Sequence, residues 1–249
     1  MSGHSKWANI KYKKAAQDAK KGRVFTKIAR EITVAVKNGG EDPSANPRLR
    51  LALDKAKSVN MPKDNVERAI KKGTGAGNED NYEDVMYEGY GPGGVALLVS
   101  VLTDNRNRTV ADVRRILTRH GGSLGESGCV GWIFERKGVV TVSNKNVDEE
   151  KLFNLAIEAG ALDINAQDES YEVLVEPQDI ERFKGLFAEN EITVESAEAT
   201  MRPKNTIPVE RDDAKKLINL LNELDEQDDI QDVYSNFEID DSILEELKV

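Results

Sequence analysis

Apolar residues recur at Val24, Phe25, Ile28, Ala29, Ile32 and Val36, the spacing of one helix face, and Asn38-Gly39-Gly40 closes the run. The pattern predicts an amphipathic helix over 24–37. A second helix is announced by Asn46 as cap and Pro47 at the first helical position, with Leu49, Leu53 and Ala56 turned inward. Pro62 opens a third, carrying Val66, Ala69 and Ile70 and ending at Lys71-Lys72-Gly73. The preceding stretch from Ser5 to Ala16 has good helix formers but a thin apolar face, so it is expected to fray or to order on binding.

Beyond residue 80 the period changes. Tyr82–Tyr90 and Val95–Thr103 read as two strands joined through Gly91-Pro92-Gly93-Gly94, and the second is apolar on both faces, as a central strand should be. A helix follows, with Thr109 as cap and Val110, Val113, Ile116 and Leu117 inward, and then a strand from Val130 to Phe134. Residues 138–201 next spell strand, helix, strand, strand, helix, strand, the order of a ferredoxin-like domain. The closing helix (211–224) and strand (230–237) cannot bury their own faces and must return to the unit left open at 134. The expected fold is therefore α+β in three domains. A basic helical bundle (1–80) precedes two α/β domains of ferredoxin-like character, one discontinuous (81–134 and 203–249) and one inserted in it (135–202).

Charge divides the chain in the same place. Residues 1–72 hold 18 Lys and Arg against 7 Asp and Glu, a formal +11, while the remaining 177 hold 17 against 38, a formal −21. Such a head is the electrostatic footprint of a polyanion partner, with nucleic acid first among them. The candidate contacts are Lys6, Lys11, Lys13, Lys14, Lys20, Lys21, Arg23, Lys27 and Arg30. Trp7 and Tyr12 are placed to stack on bases, or alternatively Trp7 docks on the next helices. The acidic body is a candidate surface for protein partners.

The chain lacks a run of about 18 apolar residues, which argues against a membrane span, and its N-terminus has no secretory pattern, so a cytoplasmic protein is expected. One cysteine, Cys129, and two histidines leave no thiolate or histidine metal site. Neither catalytic motifs nor a cofactor signature is present, and no small-molecule substrate is expected. Gly73-Thr74-Gly75-Ala76-Gly77 follows a helix rather than a strand and reads as a hinge. The acidic run Asp225, Glu226, Asp228, Asp229 reads as a solvated face.

Two loops in the body are further candidates. Glu88-Gly89-Tyr90-Gly91-Pro92-Gly93-Gly94 has more glycine than a hairpin needs, and either approaches a ligand closely or is simply a long turn. Asn105, Arg106, Asn107 and Arg108 stand where a strand hands over to a helix, with side chains suited to phosphate or base edges.

Several of these stretches carry a resemblance: Gly3-His4-Ser5-Lys6-Trp7-Ala8-Asn9-Ile10-Lys11, Phe25-Thr26-Lys27, Asn46-Pro47-Arg48-Leu49-Arg50, Asn60-Met61-Pro62-Lys63-Asp64-Asn65, Tyr87 to Gly94, and Thr103 to Thr109. Together they are similar to the YebC/PmpR family, which includes the mitochondrial translational activator of cytochrome oxidase. The resemblance implies three domains and a non-enzymatic role in gene expression. It implies either DNA-binding transcriptional regulation or action on ribosomal RNA in translation, relieving stalls at proline-rich stretches. An acidic protein-interaction scaffold is the third possibility. The Gly125–Trp132 segment departs from the family's pattern at Cys129 and Gly131, and no role is carried over there.

Overall fold

The computed structural model describes residues 18–75, 82–145, 147–167, 169–240 and 243. The arm residues Lys6, Trp7, Lys11, Lys13 and Lys14, and with them Tyr12, lie outside these, as do Ala76 and Gly77 of the hinge. Two compact units are formed, one from residues up to 52, 61–134 and 203 onward, the other from 53–60 and 135–202.

The first unit begins with α1 (Asp18–Gly39), which is longer than the apolar pattern indicates at both ends. It is followed by α2 (Pro47–Ser58), of which residues 53–58 fall in the other unit, and by α3 (Lys63–Gly73). Asn46 caps α2 by accepting the Leu49 N–H at 3.1 Å, while its own amide donates to the carbonyls of Ala35 and Gly40. One side chain thus stops one helix and starts the next. Ile28, Ile32, Ala35, Val36, Leu49, Ala52 and Ala69 are buried in this bundle. Where α3 meets α1, a Cβ on Gly73 would lie 2.6 Å from Val36 Cβ and 2.7 Å from the Thr33 carbonyl oxygen. Gly73→Ala should therefore overpack the crossing and cost about 1–3 kcal/mol. A lowered urea midpoint is the expected reading, and an unchanged one would mean the helices separate at no cost.

The same unit continues with β1 (Glu83–Tyr90), β2 (Ala96–Thr103), α4 (Arg106–Arg119) and β3 (Ser123–Leu124). After the second unit the chain resumes with β8 (Ile207–Pro208), α7 (Arg211–Asp225), β9 (Ile230–Ser235) and β10 (Phe237–Glu238). The main sheet runs β3-β1-β2-β9, and β8 pairs with β10. β9 from the chain's far end lies antiparallel to β2. Alternation sends Val95, Leu97, Val99 and Val101 to one face, where they pack with Val113, Ile116 and Leu117 of α4 and Leu217, Leu220, Leu221 and Leu224 of α7. Ala96, Leu98 and Leu102 are buried as well, so β2 is a central strand covered on both faces.

Two details correct the sequence reading. Residues 130–133 are not a strand: Gly131–Ile133 forms a 3-10 turn, and the sheet's edge is the two-residue β3. The amides of Gly128, Val130 and Gly131 all donate to the Glu88 carboxylate, which removes them from any ladder. The cap of α4 is Asn105, whose side chain accepts the Arg108 N–H at 3.1 Å. Thr109 is instead buried inside the helix, its hydroxyl 2.8 Å from that of Thr103.

The second unit contains β4 (Phe134–Ser143), α5 (Glu149–Glu158), β5 (Asp163–Ala166), β6 (Ser170–Val175), α6 (Ile180–Glu189) and β7 (Val194–Pro203). Its sheet order is β5-β6-β4-β7, the ferredoxin-like arrangement. Val140, Val142, Leu152, Val173, Val175, Phe183 and Phe187 form its core. Gly138 lets Ile180 close on β4, since a Cβ there would stand 2.7 Å from that side chain. The chain is thus mixed α and β in several domains. No helix among the described residues is long and apolar enough to cross a membrane.

Candidate nucleic-acid interface

Three groups of residues named from sequence are placed in the first unit, and each has a different fate. The first is the cationic face of α1. Arg23, Lys27 and Arg30 stand at i, i+4 and i+7, so they share one side of the helix. That side meets the end of α7, which has no basic residue in its last turn and closes on Asp225 and Glu226. Acidic groups oppose the negative end of a helix dipole, so α7 needs cations from elsewhere. Lys27 Nζ donates to the Asp225 carbonyl at 2.6 Å and its carboxylate at 3.0 Å. Arg30 donates to the Asp228 carbonyl and the Asp229 carboxylate, both at 2.7 Å. Arg23 lies 3.4 Å from Glu226 with both side chains about half exposed. Lys20 and Lys21 are on the first turn of α1, and their side chains are outside the described set.

Asp229 is the node of this junction. Its carboxylate also accepts from Arg108 Nη2 at 2.6 Å, Thr109 Oγ1 at 2.7 Å and Thr103 Oγ1 at 3.2 Å. Burial works to raise its pKa, but hydrogen bonds from Arg108, Thr109 and Arg30 prevail and hold it below the usual carboxylate value. The acidic run is therefore divided: Asp225 and Asp229 are held by cations and structural, while Glu226 and Asp228 stay exposed as a solvated face would. A groove of about 460 Å³ runs along it, where Arg23, Arg30 and Arg108 face Asp104, Asp112, Glu226, Asp228 and Asp229. Five carboxylates against three guanidiniums make it a poor anion site as it stands. No His, Cys, Asp and Glu grouping suited to a metal occurs among the described residues.

Arg48 makes a second tie. It is bidentate to Glu31, at 2.7 and 3.2 Å, and to Asp84, at 2.7 and 3.1 Å, so one guanidinium joins α1, α2 and β1. Burial alone would lower its pKa; the two carboxylates outweigh that and raise it.

The second group opens α4. Asn105, Arg106, Asn107 and Arg108 are all exposed. Arg106 lies 3.6 Å from Glu83, and Arg108 is shared between Asp104 and Asp229. The candidates named from sequence end at Arg108, yet α4 continues with Arg114, Arg115 and Arg119, also exposed, against the single acid Asp112. The element has a formal excess of cations on an otherwise acidic body, although Arg115 pairs with Asp112 at 3.2 Å and Arg119 with Glu223 at 2.7 Å. The signal for it is present in the run Arg106–Arg119, masked by the net charge around it.

The third group is the glycine loop. Gly91 and Pro92 are buried, and a Cβ on Gly91 would press on Leu97, Leu217 and Leu220. Gly89 passes beneath the Ser123 carbonyl, 2.5 Å from where its Cβ would be. Of the loop's glycines only Gly93 and Gly94 are exposed, with φ of 71° and 74°, the left-handed region that favours glycine. Glu88 is buried, and its carboxylate accepts the amides of Gly128, Val130 and Gly131 at 2.6–2.7 Å. Burial opposes ionisation, yet these three donors bring its pKa below the ordinary value. Tyr90 remains at the surface and donates its hydroxyl to the Cys129 carbonyl. Cys129 is partly buried; burial, followed by the neighbouring Glu88 charge, raises its pKa.

Comparison with known proteins matches residues 5–76 to the TACO1/YebC protein N-terminal domain and residues 82–237 to the TACO1/YebC second and third domain. A probable transcriptional regulatory protein of Natranaerobius thermophilus is 52% identical over 248 residues, covering 98% of this chain and 99% of that protein. One of Persephonella marina, with the same description, is 53% identical over 249 residues and covers 99% and 100%. The crystal structure of a conserved hypothetical protein, Aq1575, from Aquifex aeolicus superposes with a TM-score of 0.83 at 47% identity, over 91% of this chain and 94% of that one.

Proposed function

Because this chain belongs to the TACO1/YebC family, shown by the matches over residues 5–76 and 82–237, we propose that it is a DNA-binding regulator of transcription acting in the cytoplasm. The observation that carries the reading is the formal +11 of residues 1–72 on a chain that is otherwise net negative. Relatives named as probable transcriptional regulatory proteins support it and set it ahead of action on ribosomal RNA or an acidic scaffold.

Binding of this kind rests on phosphate contacts from Lys and Arg, which release counterions and carry no sequence information themselves. Lys20, Lys21 and Arg23 begin α1 and supply such contacts, together with Lys6, Lys11, Lys13 and Lys14 of the arm. Lys27 and Arg30 are held by the 225–229 turn and serve first to seat the head. The exposed entrance of α4, from Asn105 to Arg108, adds polar candidates, with Arg106 beside Glu83 and Arg108 held by Asp104 and Asp229 until a phosphate competes for it.

Replacing Lys20, Lys21 and Arg23 together by Ala is expected to weaken duplex binding equally for all sequences. The slope of log affinity against log salt should become shallower by about 0.9 for each phosphate that is no longer neutralised. An unchanged slope would place the phosphate-binding cations elsewhere. If the full-length protein migrates with ribosomes at moderate salt and leaves duplex DNA unretarded, the transcriptional reading gives way to the translational one.

A further inference from the structure

A single exposed apolar side chain is ordinary, but Trp132, 67% exposed, shares its anchoring atom with a second surface aromatic, Tyr90. It is not on a loose loop. The turn that carries it is held from beneath by Glu88 through Gly128, Val130 and Gly131. Its indole Nε1–H donates to the Cys129 carbonyl at 3.1 Å, and the hydroxyl of Tyr90, 39% exposed, donates to that same oxygen at 3.3 Å. Two surface aromatics are thereby pinned to one atom. Lys204 is exposed, and its Nζ donates to the Trp132 carbonyl at 2.9 Å, which fixes a cation at the backbone of the residue that carries the indole.

The pinning decides what the pair can bind. A tryptophan that receives a proline-rich peptide gains specificity by donating its indole N–H to a peptide carbonyl, but here that donor and the tyrosine hydroxyl are both engaged internally. What each ring still offers is its apolar, polarizable surface. Nucleobases need no donor to stack on such a surface, and the ammonium of Lys204 suits the adjoining phosphate. We infer that Trp132 and Tyr90 form a stacking platform for unpaired bases of a nucleic acid, with Lys204 at its edge. This rests on the nucleic-acid reading above and deepens it: the protein engages opened or single strands as well as duplex phosphates.

The test uses the full chain with Trp7→Phe, which leaves Trp132 as its one tryptophan. A mixed-sequence single strand of about 16 nucleotides, the upper site size of a single-strand-binding OB fold, is compared with its duplex. Anisotropy of a labelled strand gives binding, and Trp132 emission with unlabelled strand gives stacking. Expected are quenching by the single strand and a loss of about five- to a hundredfold in its affinity on Trp132→Ala, the range for one stacked base. Duplex affinity should be unchanged, since a duplex offers no unpaired base to stack. Trp132→Phe and Tyr90→Phe keep a ring and should retain most of the affinity, which separates stacking from damage to the fold. Single-strand binding with unaltered emission and unaltered Trp132→Ala affinity would overturn the platform while leaving the nucleic-acid reading intact. Failure to bind either strand form would overturn both. Quenching by a proline-rich peptide but not by the oligonucleotide would assign the platform to peptide and overturn the inference.

Discussion

Glu88→Ala is expected to destabilise the first unit by about 3–5 kcal/mol. The carboxylate accepts three backbone amides at 2.6–2.7 Å, and a hydrogen bond to a charged group contributes about 1.5–3 kcal/mol. The total falls below three times that figure, because Gly128 is exposed and Gly131 partly so, and water can replace some of the missing bonds. Glu88→Gln should fall between the two, since the neutral amide has one acceptor oxygen where the carboxylate has two. The turn would open, and the lone thiol, Cys129, should react faster with a disulfide reagent, because burial and the Glu88 charge both hold its pKa up. Urea midpoints and thiol reaction rates measure the two effects. Unchanged values for both would show that the turn holds without its carboxylate.

The same site has a definite pH dependence. The folded Glu88 carboxyl lies below its ordinary value of 4.5, so the unfolded chain binds the proton first as pH falls. Its contribution is full above about pH 4.5 and is lost as pH drops through the folded value. The stability gap between the natural chain and Glu88→Gln should therefore narrow below about pH 4.5 and be constant above it. A gap that widens in acid would reverse the assignment.

Asp229→Ala carries the second large effect, about 2–4 kcal/mol, because one carboxylate serves Arg30, Arg108, Thr109 and Thr103. The cost stays below that of breaking a fully buried pair, since Arg108 is about half exposed and its guanidinium can be hydrated. The two threonine hydroxyls can still bond each other at 2.8 Å. Function should move the other way. Removing the negative charge beside Arg30 and Arg108 makes them available to phosphate, so duplex affinity at low salt should rise by about three- to tenfold, with a steeper salt slope. Lower stability with unchanged affinity would confine these arginines to seating the head.

Much of the architecture could be read from local pattern. The helices from Val24, Pro47 and Pro62, the β1–β2 hairpin and the helix and strand order of 138–201 follow from apolar period, caps and turn residues, signals that act over a few positions. The misplaced elements have a common cause. Val130–Phe134 has the composition of a strand, but its amides are taken by Glu88, some forty residues earlier. Thr109 resembles a cap, yet Asn105 occupies that place and Thr109 points into the core beside Asp229.

Charge shows the same division. From the sequence alone follow the +11 head, the acidic body and the family motifs, because composition and local spacing need no third dimension. Which cations face solvent and which are held was decided by tertiary structure, when α1 came to lie against the acidic end of α7 and drew Lys27 and Arg30 into ion pairs. Trp132 followed the same rule, since its exposure depends on a turn fixed by a distant carboxylate. Local patterns determine elements because their interactions are short in sequence; partners for charges and exposed rings come from residues tens to hundreds of positions away, and only the folded chain brings them together.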